Sequence, residues 1–309
     1  MTPGGRDPRV VLGRAPVARE LRAAGPLTRS VRAPLTASAP WLTAVLAVQA
    51  AAPWPRTLPA AVVVGPPPPG PPDALAVLAL ARSGPLLTAT LLGDGLPVPG
   101  GRPPSRLPAR DDDAAARLAA GVLGLLASSR RPWRLRLAGL PLGDPTVRAL
   151  ARLRPDAVVA SRRSRRLVDE LGTLPGRLVR SRDPRDVDAA LPALLAGTRD
   201  ARARDARARD LVRVAARLHA AAGRVEVATV TDGGRLRAAL LTLLDGAPGG
   251  PPDAADRLPW WGRAPDGGLP EAPGGPLVDV TVTGRGRVVR AVVDRAVRSL
   301  PVSPRRTPG

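Results

Sequence analysis

A core for this chain has to be assembled from leucine, valine and alanine, because the sequence contains no Phe, Tyr or Ile and only five Trp. Leucine and valine number 44 and 32 among 309 residues. That is about a quarter of the chain, above the fifth or so below which buried apolar surface cannot offset the ordering entropy. Parts of the chain therefore fold, in one large or two ordinary domains. The 39 prolines and 32 glycines cut the apolar residues into short runs, since neither a helix nor a central strand continues through proline. Lys and Asn are absent as well, and Met1 is the single methionine. The missing residues are those with AT-rich codons, a bias of high-GC bacteria that also explains why all 47 positive charges are arginine. The net charge of +21 is in part a product of that bias.

Without cysteine the chain has no disulfide, no thiolate nucleophile and no cysteine-ligated metal. One histidine, His219, cannot make a multi-histidine site, so no metal is expected. Residues Met1 to Val10 are polar and contain two prolines, and the first apolar run, Trp41 to Ala52, lies too deep for a signal peptide. No stretch approaches the roughly 18 apolar residues that span a bilayer. The expectation is a soluble cytoplasmic protein with no membrane partner.

Residues 1–30 are rich in Arg, Gly and Pro with little periodicity, and read as a flexible leader. Trp41 to Gln49 has a short helical pattern, and Ala61 to Val64 reads as a strand closed by the run Gly65 to Pro72. Asp73 to Ala81 and Leu86 to Leu92 flank a turn and suggest a buried hairpin. Asp111-Asp112-Asp113 suits a helix start, and Leu118, Val122, Leu125 and Leu126 give the 3.6-residue stripe of a helix over 112–128. Trp133 to Leu140 alternates as a half-exposed strand; Asp144 caps a helix over 145–153 with Pro145 at its first position; Asp156 to Ala160 is another strand. Helices alternating with strands on short links predict an α/β layer structure.

Ser161 to Arg166 (SRRSRR) is the densest basic cluster, read either as a phosphate-binding patch or as a solvated surface segment. The tandem pentapeptide ARARDARARD at 201–210 opens a helix that runs through Leu211, Val212, Val214, Ala215 and Leu218 to His219, where a cation suits the helix dipole. Val225 to Thr231 and Leu236 to Leu244 flank Asp232-Gly233-Gly234-Arg235 as a hairpin. Gly246 to Pro276 reads as a long Pro/Gly loop whose Trp260-Trp261 folds back on the core or forms a binding surface. Leu277 to Thr283 is a strand, and Gly284-Arg285-Gly286-Arg287 leads into a helix over 287–299. A glycine turn between strand and helix presents free N–H groups and the positive end of the dipole, so Gly284, Arg285, Gly286 and Arg287 are candidate ligands of a phosphate or pyrophosphate, or simply a tight turn.

The order of elements, with the phrases Leu91-Leu92-Gly93-Asp94-Gly95 and Trp133 to Pro141, the helix ending at His219, the hairpin 225–244 and the unit 277–299, resembles the GNAT superfamily of N-acyltransferases, in particular its two-lobed Fem-like members. The resemblance spans about residues 31–300 and implies mixed sheets flanked by helices in two lobes. It divides the chain into a leader (1–30), an N-terminal α/β lobe (31–160), an Arg/Pro-rich connector (161–200), a C-terminal GNAT-like lobe (201–300) and a disordered tail (301–309). It further implies an acyl-CoA-dependent transferase, active or degenerate, with acetyl-CoA or another acyl-CoA held by Gly284 to Arg287 and a small-molecule or peptide amine as acceptor. The leading position of the family's pyrophosphate pattern is here Thr281, and no tyrosine exists to act as general acid. Glu226 is a weak candidate general base, although an exposed glutamate on an alternating strand is the plainer reading. A non-catalytic protein on the same scaffold is the alternative, as is a basic anion-binding or nucleic-acid-binding protein, for which +21 supplies nonspecific attraction.

Overall fold

A computed structural model describes residues 7–51, 57–96, 105–196, 206–244, 257–264 and 268–285. It is an α/β structure with two sheets flanked by helices, the class that the alternation of elements predicts. The first sheet has seven strands in the order β1-β2-β3-β4-β5-β11-β6 and the second four, β10-β9-β8-β7. In chain order the strands are β1 (Arg9–Leu12), β2 (Leu58–Val64), β3 (Ala74–Ser83), β4 (Leu86–Leu91), β5 (Trp133–Pro141), β6 (Val158–Leu167), β7 (Arg177–Ser181), β8 (Val225–Asp232), β9 (Arg235–Leu244), β10 (Arg257–Arg263) and β11 (Glu271–Gly284). The helices are α1 (Arg14–Ala23), α2 (Gly25–Ser30), α3 (Ala39–Ala51), α4 (Asp112–Ala127), α5 (Pro145–Leu153), α6 (Pro184–Leu195) and α7 (Ala206–Ala221).

The central strands are buried on both faces, which is why their sequence is almost continuously apolar rather than alternating. Ala61 and Val63 of β2 with Leu75, Val77 and Ala79 of β3 face a core shared with α1, α3, α6, α7 and the inner face of the second sheet. Their neighbours Ala60, Val62, Val64, Ala76 and Leu78 face α4 and α5. Helix α3 is apolar around its circumference because it lies between the two sheets, and its Trp41 meets Trp260 of β10 edge to face at 5.3 Å and 74°. With alanine as the common small residue the layers approach closely. A Cβ on Gly121 of α4 would come within 2.6 Å of Pro8 and 2.8 Å of Val62, so only glycine fits there.

Several expectations need correction. Residues 9–30 are ordered as β1, α1 and α2; the four-residue strand is too short to show periodicity, and it is fixed by pairing with Ala60 to Val63 and by a double hydrogen bond from Arg9 to Glu20 at 2.6 and 2.7 Å. Within the stretch 161–200, read as a connector, lie most of β6 and all of β7 and α6; its last four residues, 197–200, lie outside the described residues. Within 246–276, read as one loop, β10 and the start of β11 form strands. Pro259 is tolerated because β10 is an edge strand, and Pro273 and Pro276 flank an irregularity in the β11–β6 pairing. Strand β11, assigned by sequence to the second lobe, lies in the first sheet between β5 and β6. The expected helix over 287–299 lies outside the described residues, as do residues 1–6 of the leader and all of 301–309.

Candidate functional site

The one parallel pair among the described strands is β4 with β5, joined through the crossover helix α4. In open α/β sheets the carboxyl ends of parallel strands are where ligands bind. Here the β4–β5 pairing stops at Thr90 opposite Arg136, while β5 runs on to Pro141 beside β11. Beyond that last pair the segment Ser105 to Pro108 ties into both flanks: the Ser105 amide donates to the Gly139 carbonyl at 2.7 Å, and the Leu75 amide to the Pro108 carbonyl at 2.9 Å. Between this strap, β3, the end of β4 and α3 lies a small cleft of about 30 Å³. Its walls carry Leu42, Leu75, Val77, Leu91, Leu92 and Leu107, and its polar groups come from Thr36, Ser105 and Arg106. The Arg106 guanidinium donates to the Val31 carbonyl, which holds it at the rim.

Asp144, at the turn after β5, stands behind the strap. It is 4% exposed and its carboxylate accepts from the amides of Thr146 at 2.9 Å and Val147 at 3.2 Å, capping α5 as the Asp-Pro signature predicts. Burial pushes this carboxyl above its ordinary range, against the pull of the Val147 and Thr146 amides and the charge of Arg106. Sequence reasoning found the cap but neither its burial nor its proximity to Arg106, because nothing in the local pattern brings 106 and 144 together. The cleft itself left no motif; its lining comes from four separated stretches.

An acyl-CoA would need its pyrophosphate at a helix start or an arginine turn. The start of α4, which follows the parallel strand, does not fit that group. Asp111 caps it through a 2.8 Å bond from the Ala114 amide, and Asp112 and Asp113 fill the first turn. Three carboxylates occupy the positive end of the dipole, with Arg148 and Arg117 paired to Asp112 and Asp113 at 3.1 and 3.0 Å. Of the turn singled out by sequence, Gly284 ends β11 opposite Trp133, and Arg285 beyond it is exposed; Gly286 and Arg287 lie outside the described residues. A Cβ on Gly284 would collide with the Trp133 indole, which explains the glycine without any ligand. Arg154 covers the same indole at 5.5 Å from its centroid.

Glu226 is neither exposed nor near that turn: it sits on β8 of the second sheet, 5% exposed, among three arginines. Arg257 bonds it closely, Arg180 reaches it at 3.1 Å and Arg182 lies at 3.7 Å. Burial pushes its carboxyl up, but the guanidinium groups of Arg257 and Arg180 outweigh burial and hold it below the usual glutamate range. A carboxylate so stabilised is a poor proton acceptor at neutral pH. His219 also differs from expectation. It is fully buried, neither ring nitrogen has a partner among the described residues, and burial with help from the Arg224 charge lowers its pKa to about 4. It is neutral at pH 7 and adds no cation to the helix end.

The SRRSRR cluster forms much of edge strand β6, where Arg162 pairs with Asp279 at 3.1 Å and Arg165 with Glu271 at 3.4 Å, leaving Arg163 and Arg166 pointing to solvent. Trp260 and Trp261 both serve the core, since a bulge between Pro259 and Trp261 turns successive side chains to the inner face. Among the described residues no group of three His, Cys, Asp or Glu side chains is placed to hold a metal ion, and no helix is long and apolar enough to cross a membrane.

No protein-family model matches the chain, and no curated protein does. Among solved structures, a tandem GNAT protein from the clavulanic acid biosynthesis pathway aligns over 90% of this chain and 98% of its own, at 16% identity and a TM-score of 0.36. A conserved protein of unknown function from Bacteroides thetaiotaomicron aligns over 59% of this chain and 61% of its own, at 11% identity and a TM-score of 0.34.

Proposed function

We propose that the chain is a non-catalytic binding protein on an acyltransferase-like α/β scaffold, and that the cleft beyond β4 takes a compact aliphatic carboxylate. The observation that carries this reading is the lining: six aliphatic side chains with a single guanidinium, Arg106, at the rim. Such walls bury a short hydrocarbon chain at roughly 0.8 kcal/mol per methylene, and the arginine orients an anionic head group. Acyl-CoA-dependent transfer to an amine, implied by the resemblance to GNAT proteins and its Fem-like branch, asks for a base and a pyrophosphate site. Among the described lining residues there is no carboxylate or imidazole, and the carboxylates at the start of α4 repel pyrophosphate.

The test is calorimetric titration of butanoate and of acetyl-CoA into the full chain and into Arg106→Gln and Leu75→Trp variants. Saturable butanoate binding, weakened in both variants, with no acetyl-CoA binding, is the expected result. Acetyl-CoA binding that is lost in an Arg285→Ala variant would restore the acyl-CoA reading at Gly284 to Arg287. Contact with nucleic acid is expected to be limited to salt-sensitive attraction by arginines such as Arg163 and Arg166, and to carry no sequence preference.

A further inference from the structure

The outer face of the second sheet gathers more positive charge at one point than the fold requires. Glu226 on β8 lies at the centre, with Arg180 and Arg182 from the β7 end and Arg257 from the start of β10. Asp169 adds a second carboxylate, 2.8 Å from Arg180. Three guanidinium groups therefore face two carboxylates, leaving one positive charge in excess. The geometry is also unsaturated. A guanidinium carries five N–H donors, and Arg182 reaches Glu226 only across 3.7 Å, too far for a hydrogen bond. Among the described residues its donors have no acceptor. Directly opposite Glu226 on β9 stands Thr242, 1% exposed, whose hydroxyl likewise has no partner among the described residues.

Long charged side chains do not cluster without compensation for their mutual repulsion, and a buried carboxylate supplies it. Glu226, its side chain 7% exposed, acts as an internal counter-ion that keeps the three arginines close together, while their own exposure of 34, 39 and 25% leaves part of each head group open to solvent. We propose that Arg180, Arg182 and Arg257 form an anion-binding site that takes the terminal phosphate of a phosphorylated small molecule. A phosphate presents three oxygens, each able to accept from a guanidinium, and matches the planar N–H pairs of arginine bidentately. A carboxylate ligand would repeat the role of Glu226 and Asp169, offering two oxygens where a phosphate offers three. The site is a local triad rather than a stripe, so it suits one phosphate group and not a polymer backbone.

Calorimetric titration of inorganic phosphate and of pyrophosphate into the full chain at low salt tests the site. Both should bind saturably, at least tenfold more weakly to Arg182→Gln, and with unchanged affinity to Arg163→Gln, which removes the same charge from β6. Arg182 is part-exposed and makes no hydrogen bond among the described residues, so Arg182→Gln should keep its fold, and its circular dichroism and melting temperature verify that. Absence of saturable binding would overturn the proposal. So would equal weakening by Arg182→Gln and Arg163→Gln, which would mean diffuse attraction only. Loss in Arg285→Ala but not in Arg182→Gln would place the phosphate at the other turn, and binding of a single-stranded oligonucleotide without binding of either phosphate would replace the small molecule with nucleic acid.

Discussion

The cleft beyond β4 and the outer face of β7 to β10 are built from opposite materials. The cleft is walled by leucine and valine, has one arginine at its rim, and has three aspartates at the helix start nearby. The outer face of the second sheet crowds three arginines around one buried glutamate. Net charge is a property of the whole chain, whereas ligand choice is set by the few groups that share a desolvated spot. A chain of +21 can therefore turn anions away from the helix start where an α/β sheet ordinarily receives them. It concentrates its attraction on the arginines that Glu226 gathers on the second sheet.

The largest way to break this contrast is to remove the counter-ion. Glu226→Ala leaves Arg182 and Arg257 without their carboxylate and Arg180 with Asp169 alone, and should cost about 3–5 kcal/mol in urea unfolding, as for other broken buried ion pairs. A loss under 1 kcal/mol would mean that the arginines swing freely into solvent and that no triad is held. Acid unfolding separates the same glutamate from His219. The unfolded histidine takes up a proton below about pH 6.5 and the folded one not until about pH 4. Its contribution is thus complete above 6.5 and falls by about 3 kcal/mol as the pH drops to 4. Glu226, held below the usual glutamate range, gives a contribution present above that range and lost beneath it. His219→Leu should abolish the first window and leave the second. It should also stabilise the protein at pH 7, because it removes two buried nitrogens that lack partners among the described residues.

Smaller effects sharpen the account of the first sheet. Gly284→Ala drives a methyl group into the Trp133 indole and should destabilise by about 1–3 kcal/mol, the usual range for overpacking. Unchanged stability together with lost phosphate binding would instead give that glycine a ligand role. Asp144→Ala removes the α5 cap and should cost about 1–2 kcal/mol, whereas Asp144→Asn keeps the acceptor and discards a buried charge, so its thermal midpoint should stay within about 2 °C of wild type. If both variants lose stability equally, the charge of Asp144 interacts with Arg106 more strongly than its burial implies.

Much of the fold was legible because its signals are local. Asp144-Pro145 marked α5 to the residue, the leucine stripe marked α4, and Asp232 to Arg235 marked the β8–β9 hairpin. What escaped depends on distant partners. Strand β1 is four residues long and is defined by the strand it pairs with; β10 and the start of β11 contain prolines that only an edge position or an irregular pairing tolerates. The sites escaped for the same reason. Glu226 alternates with valines in the sequence and so reads as an exposed strand residue, and nothing local reveals that residues 180, 182 and 257 arrive around it. The cleft joins positions 36 and 106 through tertiary packing alone.

The central claim is that the aliphatic cleft, not the arginine-flanked glycine turn, receives the acyl or carboxylate ligand. Methyl-labelled NMR of the full chain during titration with butanoate tests it residue by residue. Saturable shifts confined to the methyl groups of Leu42, Leu75, Val77, Leu91, Leu92 and Leu107 are the expected outcome. Unmoved cleft methyls, or shifts centred instead on the valines that flank Gly284, would contradict it.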